Sequence, residues 1–338
     1  MGLGIKTKII KTIKEEIYPH FGPEIIRINP IGYACTNACP MCWRVMNKIS
    51  KKGGLKKEEM QWKNYKKILK SLPFTVSTIE VVGGGEPLLF PKIESLLKKI
   101  KEKKVFASLI TNGVLLTPKI SKLLIKIKWD SIRISINAGS KTVYPLANGS
   151  YYFDRIIDNV EKMIAMRKNS SVPKIGLHYV IQKPNFKDIE NFIKLSEKLK
   201  IDFINFDNLI YDSPEELKLN KKETTQLEKI LKKSLKETDI ENNIPETLKK
   251  LKQGNIKRKK SYFKNKYCQI VQSNIDISSE GNSVPCCMAY GEGISKNLKE
   301  KSLTEVWKEF SPFRKKLKQG EFEKFCYEKC NYRLKDKN

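Results

Sequence analysis

Cys35, Cys39 and Cys42 stand in one short loop with the spacing C-x3-C-x2-C. Three thiolates that close together can ligate three irons of a 4Fe–4S cluster and leave the fourth iron without a protein ligand. An open iron can bind a small molecule and do chemistry, which a cluster closed by four cysteines does less readily. Zinc sites favour paired C-x2-4-C units, so the triplet suits zinc poorly. The loop follows an apolar run, Ile25 to Ile31, that reads as a strand. Further on, Val81-Val82-Gly83-Gly84-Gly85-Glu86-Pro87 reads as another strand entering a glycine-rich turn. Missing side chains at Gly84 and Gly85 let the backbone approach a ligand closely.

The other five cysteines come late: Cys268, Cys286, Cys287, Cys326 and Cys330. Residues 270–277 and 278–285 read as two strands around a Gly281-Asn282 turn, a hairpin. Leu303 to Lys318 reads as one helix, with Ser302 as N-cap and Glu305 three residues on, as in a capping box. These cysteines could staple a small domain through zinc or through a second cluster.

Elements to position the first loop are legible upstream. Apolar or β-branched runs occur at 25–29, 77–82, 105–110, 131–136, 174–181 and 202–206. Helical patterns lie near 56–71, 91–102, 118–126, 152–168 and 186–199. Six strands alternating with helices imply parallel βαβ units with right-handed crossovers. Thr111-Asn112-Gly113 follows the third strand, and Ser135-Ile136-Asn137-Ala138-Gly139 ends the fourth. His178, on the fifth strand, could be a general acid or base, although a strand histidine held by hydrogen bonds is the ordinary reading; Gln182, at that strand's end, stands similarly. Residues 215–253 read as charged and helical without strands, and 254–266 as a basic linker. Ile5, Ile9, Ile10, Ile13 and Ile17 share one face of a helix over Gly4–Tyr18, read as packed on the body of the domain rather than on a membrane.

Composition narrows the class. The 338 residues suffice for one large domain plus a small appendage. No run of about eighteen apolar residues and no signal peptide are present, and eight cysteines without a secretory signal favour metal ligation over disulfides. A cytoplasmic location follows as the expectation. Net charge is +29, yet only eight of the 66 basic residues are Arg and the Lys are spread along the chain. We read the excess as compositional. Scarce Arg and the lack of a nucleic-acid motif argue against a zinc-stabilised nucleic-acid-binding protein, the reading from another class.

The cysteine triplet after a first strand and the GGE turn after the second resemble the radical S-adenosylmethionine (radical SAM) enzymes. The resemblance covers roughly residues 24–210 and 268–330. It implies an α/β fold: a partial (β/α)6 TIM-type barrel with a small C-terminal auxiliary cluster domain of β-hairpin plus helix. Working residues then sit at strand C-terminal ends. It also implies a SAM-binding 4Fe–4S cluster on Cys35, Cys39 and Cys42, S-adenosyl-L-methionine on the open iron, and reductive cleavage to a 5′-deoxyadenosyl radical that abstracts hydrogen. By position, Gly84, Gly85 and Glu86 meet the methionyl amino group, and Asn112, Ser135 and Asn137 are candidates for SAM contacts. Met41 stands where the family usually has an aromatic residue near the adenine; its soft thioether can make such a contact.

Cys268, twelve residues, Gly281, four residues and Cys286 match the opening of the SPASM and twitch extensions of that family. The implied second, auxiliary 4Fe–4S cluster is held by Cys268, Cys286, Cys326 and Cys330. Cys287 is expected to be a buried small residue, with replacement of Cys286 as the alternative. The expected divisions are an N-terminal helix (1–23), the core barrel (24–215), a helical and linker segment (216–266) and the auxiliary domain (267–338). The activity implied is hydrogen abstraction from an aminosugar, polyol or nucleotide sugar, the auxiliary cluster either accepting the substrate's electron, for net oxidation, or helping to bind substrate, and an external flavodoxin- or ferredoxin-type protein supplying the initiating electron. Modification of a ribosomally made peptide ranks second, since the 23 residues before the first strand are few for a peptide-binding module.

Overall fold

The computed structural model describes residues 18–46, 60–168, 170–209, 213–253, 260–263, 266–328, 330 and 334–336. The helix expected over Gly4–Tyr18 and most of the basic run 257–260 lie outside these residues.

Seven parallel strands run in sequence order through one sheet: β1 (Ile25–Ile28), β2 (Thr78–Val81), β3 (Phe106–Thr111), β4 (Ser131–Ser135), β5 (Lys174–Ile181), β6 (Phe203–Asn208) and β7 (Glu241–Asn242). The crossovers carry α1 (Trp62–Lys70), α2 (Ile93–Lys101), α3 (Pro118–Lys126), α4 (Phe153–Arg167), α5 (Ile189–Lys198) and α6 (Lys221–Glu237). This is the partial barrel expected, with one addition. The segment read as strandless holds β7, a two-residue strand, before α7 (Ile244–Gln253). Asn243 then does a strand's work. Its side chain accepts from Phe206 N–H at 2.7 Å and donates to Phe206 C=O at 2.9 Å, closing the free edge of β6.

Alternation along the strands separates two faces. Ile79, Leu109, Ile132, Leu177 and Ile204 are wholly buried against the helices. On α2 the matching face is Ile93, Leu96, Leu97 and Ile100, at the spacing of one helical stripe. Each such side chain contributes about 1.5–3 kcal/mol by leaving water. Tyr179, Phe192 and Phe206 pack ring to ring under α5, with centroids 4.7 to 5.8 Å apart. The opposite, concave face carries Arg27, Glu80, Arg133, His178 and Asp207.

Beyond α7 the chain forms β8 (Lys266–Tyr267), β9 (Asn274–Ile277), β10 (Asn282–Val284) and β11 (Lys296–Asn297), and β12 (Lys335–Asp336) returns to pair with β8. The hairpin β9–β10 is present, but Ile270–Ser273 is a helical turn rather than strand. β9 also pairs parallel with β1, Asp276 opposite Arg27, so one ten-stranded sheet runs through barrel and C-terminal region. The expected single helix from Leu303 is two, α8 (Leu303–Glu309) and α9 (Ser311–Gln319). Pro312 causes the break, because its ring cannot donate and clashes with the preceding turn. The Ser302–Glu305 capping box is present. Trp307 donates to Tyr18 C=O at 2.8 Å, and Arg314, 4.0 Å over the Trp307 ring, donates to Pro19 C=O at 2.9 Å. The segment before β1 is thereby fixed to α8 and α9.

Candidate active site

The cysteine loop leaves the C-terminal end of β1 and closes into a short helix, Trp43–Met46, whose Val45 and Met46 N–H groups donate to Cys42 C=O. Arg44 is buried at the centre of the loop. Its guanidinium donates to Tyr33 C=O at 2.6 Å and Asn37 C=O at 2.9 Å, so one side chain ties both limbs together. Asn37 donates to the Tyr144 hydroxyl at 3.0 Å and accepts from Ser150 at 3.0 Å. The segment after β4 thus braces the loop from the far side.

The glycine turn braces it from the near side. Gly85 N–H donates to Ile31 C=O at 2.9 Å and Glu86 N–H to Ala34 C=O at 2.8 Å. A methyl group on Gly85 would stand 2.1 Å from the Ala34 carbonyl oxygen, and one on Gly84 would stand 2.4 Å from that of Gly32. Only residues without a side chain admit this approach. The glycines serve the loop's backbone as much as any ligand.

Glu86 is buried, and its carboxylate accepts from Thr111 Oγ1 at 2.6 Å, Asn112 N–H at 2.8 Å and Leu88 N–H at 3.1 Å. Burial pushes its pKa above the usual carboxylate range, while these three donors draw it down. Asn112 turns its amide to the cysteine loop, 2.8 Å from Thr36 Oγ1 and 3.5 Å from Cys35 Sγ. Asn137 has φ +49°; its side-chain oxygen accepts from Val180 N–H at 2.7 Å, joining β4 to β5. Ser135 is half-buried on the concave face, in register with His178. Met41 is half-buried in the cysteine loop.

The thiols fit the ligand role by their chemistry. Cys35 and Cys39 have pKa values raised by burial, with the Arg44 charge lowering both. Half-buried sulfurs gathered on one loop, with the Arg44 guanidinium favouring the thiolate of Cys35 and Cys39, are a donor set for iron.

Two partnerships on the concave face were not legible in the sequence. His178 Nε2 meets Asp207 Oδ2 at 2.9 Å, and Lys250 lies 3.5 Å from Asp207 Oδ1. Burial and the Arg133 charge lower the His178 pKa, while Asp207 raises it. Asp276 is 2% exposed with Oδ2 unpartnered, beside the Arg27–Glu80 ion pair of 2.6 Å. Gln182 is fully buried with its side-chain oxygen unpartnered.

Cys268, Cys286, Cys326 and Cys330 line one small cavity. The rest of its wall is apolar, Phe263, Val271, Leu317, Phe322 and Phe325 among it. Burial raises the pKa of Cys268, Cys286 and Cys326, the last to about 12. Among the described residues, no three His, Cys, Asp or Glu side chains gather tightly enough for a single metal ion. Zinc at about 2.3 Å from each sulfur would bring sulfurs to within about 4 Å of one another, whereas a cubane spreads them over its corners. Four thiols around one apolar cavity are a donor set that a cubane can use. Cys287 is half-buried, not buried as expected, and does not line the cavity. No helix of the described residues is long and apolar enough to cross a membrane.

Comparison with known proteins adds independent findings. The Radical SAM superfamily model matches residues 29–196, and the SPASM iron–sulfur cluster-binding domain model matches 268–331. A Pyrococcus furiosus protein, the tungsten-containing aldehyde ferredoxin oxidoreductase cofactor-modifying protein, is 24% identical over 250 residues, 67% of this chain and 65% of that relative. The match therefore spans less than two thirds of its length. Streptococcus suis SuiB bound to precursor peptide SuiA superposes with a TM-score of 0.65 at 19% identity, over 89% of this chain and 68% of that one. The structure of anSMEcpe with bound AdoMet gives 0.64 at 16% identity, over 91% and 86%. At these identities the likeness establishes the fold.

Proposed function

Because this chain belongs to the radical SAM superfamily and carries a SPASM iron–sulfur domain, we propose that it oxidises a small polar molecule, an aminosugar, polyol or nucleotide sugar, held on the concave face of its barrel. One observation carries the choice. That face presents Arg27, Glu80, Arg133, His178 and Asp207 where a barrel built for an apolar guest would present aliphatic residues. Polar groups so arranged would bind hydroxyl, amino or phosphate groups.

In this reading Cys35, Cys39 and Cys42 hold the open-iron cluster and Cys268, Cys286, Cys326 and Cys330 the auxiliary one. With SAM and one electron the first would supply the one-electron chemistry that takes a hydrogen atom from substrate, and the auxiliary cluster would take the substrate's second electron. Gly84, Gly85 and Glu86, which adjoin the cysteine loop, and Met41 within it would meet SAM, with Ser135 on the concave face as a further contact. His178, oriented by Asp207, is placed to exchange a proton with substrate. The cavity's apolar wall keeps water from the auxiliary site. The core barrel would run on through β7 and α7, past the boundary expected at 215, with a flavodoxin- or ferredoxin-type reductant as partner; a net charge of +29 suits an acidic one.

A peptide substrate is the second reading. It is favoured by the peptide in the SuiB structure and by Leu146 and Tyr151, exposed by 56% and 88% beside the cysteine loop. The test is 5′-deoxyadenosine formation by reconstituted full-length protein with SAM and dithionite, across a panel of aminosugars, polyols, nucleotide sugars and short peptides. Stimulation by a small polar compound, with a product two mass units lighter, supports the first reading. Stimulation by peptides alone overturns it.

A further inference from the structure

We propose that Asn112 is a positioning residue that raises the reduction potential of the open-iron cluster through a hydrogen bond to Cys35. The inference rests on assigning Cys35, Cys39 and Cys42 to that cluster. Asn112, a candidate SAM contact by its position in the sequence, turns its amide to the cysteine loop.

Geometry fixes the direction of that amide. Asn112 is buried directly after β3, and its peptide N–H is held by Glu86 Oε2 at 2.8 Å. Glu86 is itself held by the Thr111 hydroxyl and Leu88 N–H. An Asn side chain has one acceptor end and one donor end. Here the acceptor end is committed, since Oδ1 takes Val114 N–H at 3.1 Å. The donor end must therefore face the other way, where Thr36 Oγ1 lies at 2.8 Å and Cys35 Sγ at 3.5 Å. The peptide N–H of Asn37 also lies 3.5 Å from that sulfur. Cys35 thus receives two N–H groups, one from its own loop and one from the turn after β3.

Hydrogen bonds to a ligating sulfur draw electron density from the iron and favour the reduced cluster. Asn112 does this without adding a charge. It also joins the glutamate of the glycine turn to a cluster ligand: Glu86 accepts the backbone N–H, and Cys35 accepts the side-chain N–H. The residue that sets the aim of the bond is therefore Glu86.

The test is a potentiometric titration of full-length, anaerobically reconstituted protein, following by EPR the reduced-cluster signal that changes on adding SAM. Asn112→Ala should keep its iron content and show about a tenfold lower reduced-to-oxidised ratio at the wild-type midpoint, about 59 mV for a one-electron couple. The deuterium-sensitive Fe–S stretch in resonance Raman should weaken with it. Asn112→Asp keeps the shape and the acceptor for Val114 while removing the donor, so the midpoint should fall at least as far. An unchanged midpoint and an unchanged deuterium effect, in either variant with full iron, overturn the inference. Loss of iron from both variants also overturns it, because the side chain would then act on assembly. Cys35→Ala separates the two levels of argument. A SAM-responsive signal surviving in that variant would sink the cluster assignment, whereas the Asn112 variants bear only on its tuning.

Discussion

Gly149 lies against Ala38: a methyl group on Gly149 would stand 2.2 Å from the Ala38 carbonyl oxygen, and Gly149 has φ +60°. The segment after β4 therefore touches the cysteine loop backbone to backbone, in addition to the Tyr144 and Ser150 bonds to Asn37.

Gly149→Ala should push the loop out of place. The left-handed backbone adds roughly 1–2 kcal/mol of strain for a residue with a Cβ. We expect iron per chain to fall from about eight to about four, the auxiliary cluster remaining. Gly291→Ala is the control, since Gly291 has φ +80° but nothing within 4 Å of an added methyl. Equal losses from both would mean that strain, and not the contact with Ala38, is responsible.

The adjacent cysteines at 286 and 287 should separate cleanly. Cys286 lines the sulfur cavity and Cys287 does not. Cys286→Ala is expected to lose about four irons and Cys287→Ala none, by iron and acid-labile sulfide analysis. The opposite pattern would exchange their roles.

His178 can be watched directly, because the chain has two histidines. Its imidazole should titrate below the ordinary value, as burial and Arg133 disfavour its charge against the support of Asp207. Asp207→Asn removes that support and should lower the midpoint further in an NMR titration; a rise would contradict the pairing. Since the folded pKa is depressed, the stability linked to His178 is full above about pH 6.5 and is lost as pH falls below it.

Asp276 gives the opposite slope. Burial pushes its carboxyl up to about 7, with Arg27 drawing it down and Glu80 up. Its linked stability is full below the unfolded value of about 3.9 and is lost as pH rises towards about 7. Asp276→Asn removes the titration and should be the more stable protein above about pH 7, by a margin on the order of 4 kcal/mol. Urea denaturation at about pH 5.5 and about pH 8 checks this: a margin that does not grow with pH refutes it.

What the sequence disclosed follows from where the information resides. The six barrel strands were legible because β-branched residues alternate locally, and the cysteine triplet because few residue types can ligate iron. Arg44, Tyr144 and Asp207 were not, since each acts through a contact made only after folding. The pairing of β9 with β1 was equally hidden: Ile28 meets Ile277, and no local pattern writes a register across such a separation. Pro312 did announce the break between α8 and α9, and the apolar spacing around it masked the signal.

That pairing also determines what the barrel would be without its C-terminal region. Ile25–Ile28 would become an unprotected border, a short β-branched ribbon offering free amides and carbonyls to any other chain. A fragment ending before Cys268 should therefore not be a smaller soluble enzyme. It should be prone to edge-to-edge aggregation, with β9 acting in the intact protein as a built-in chaperone for the strand that leads into the cluster loop.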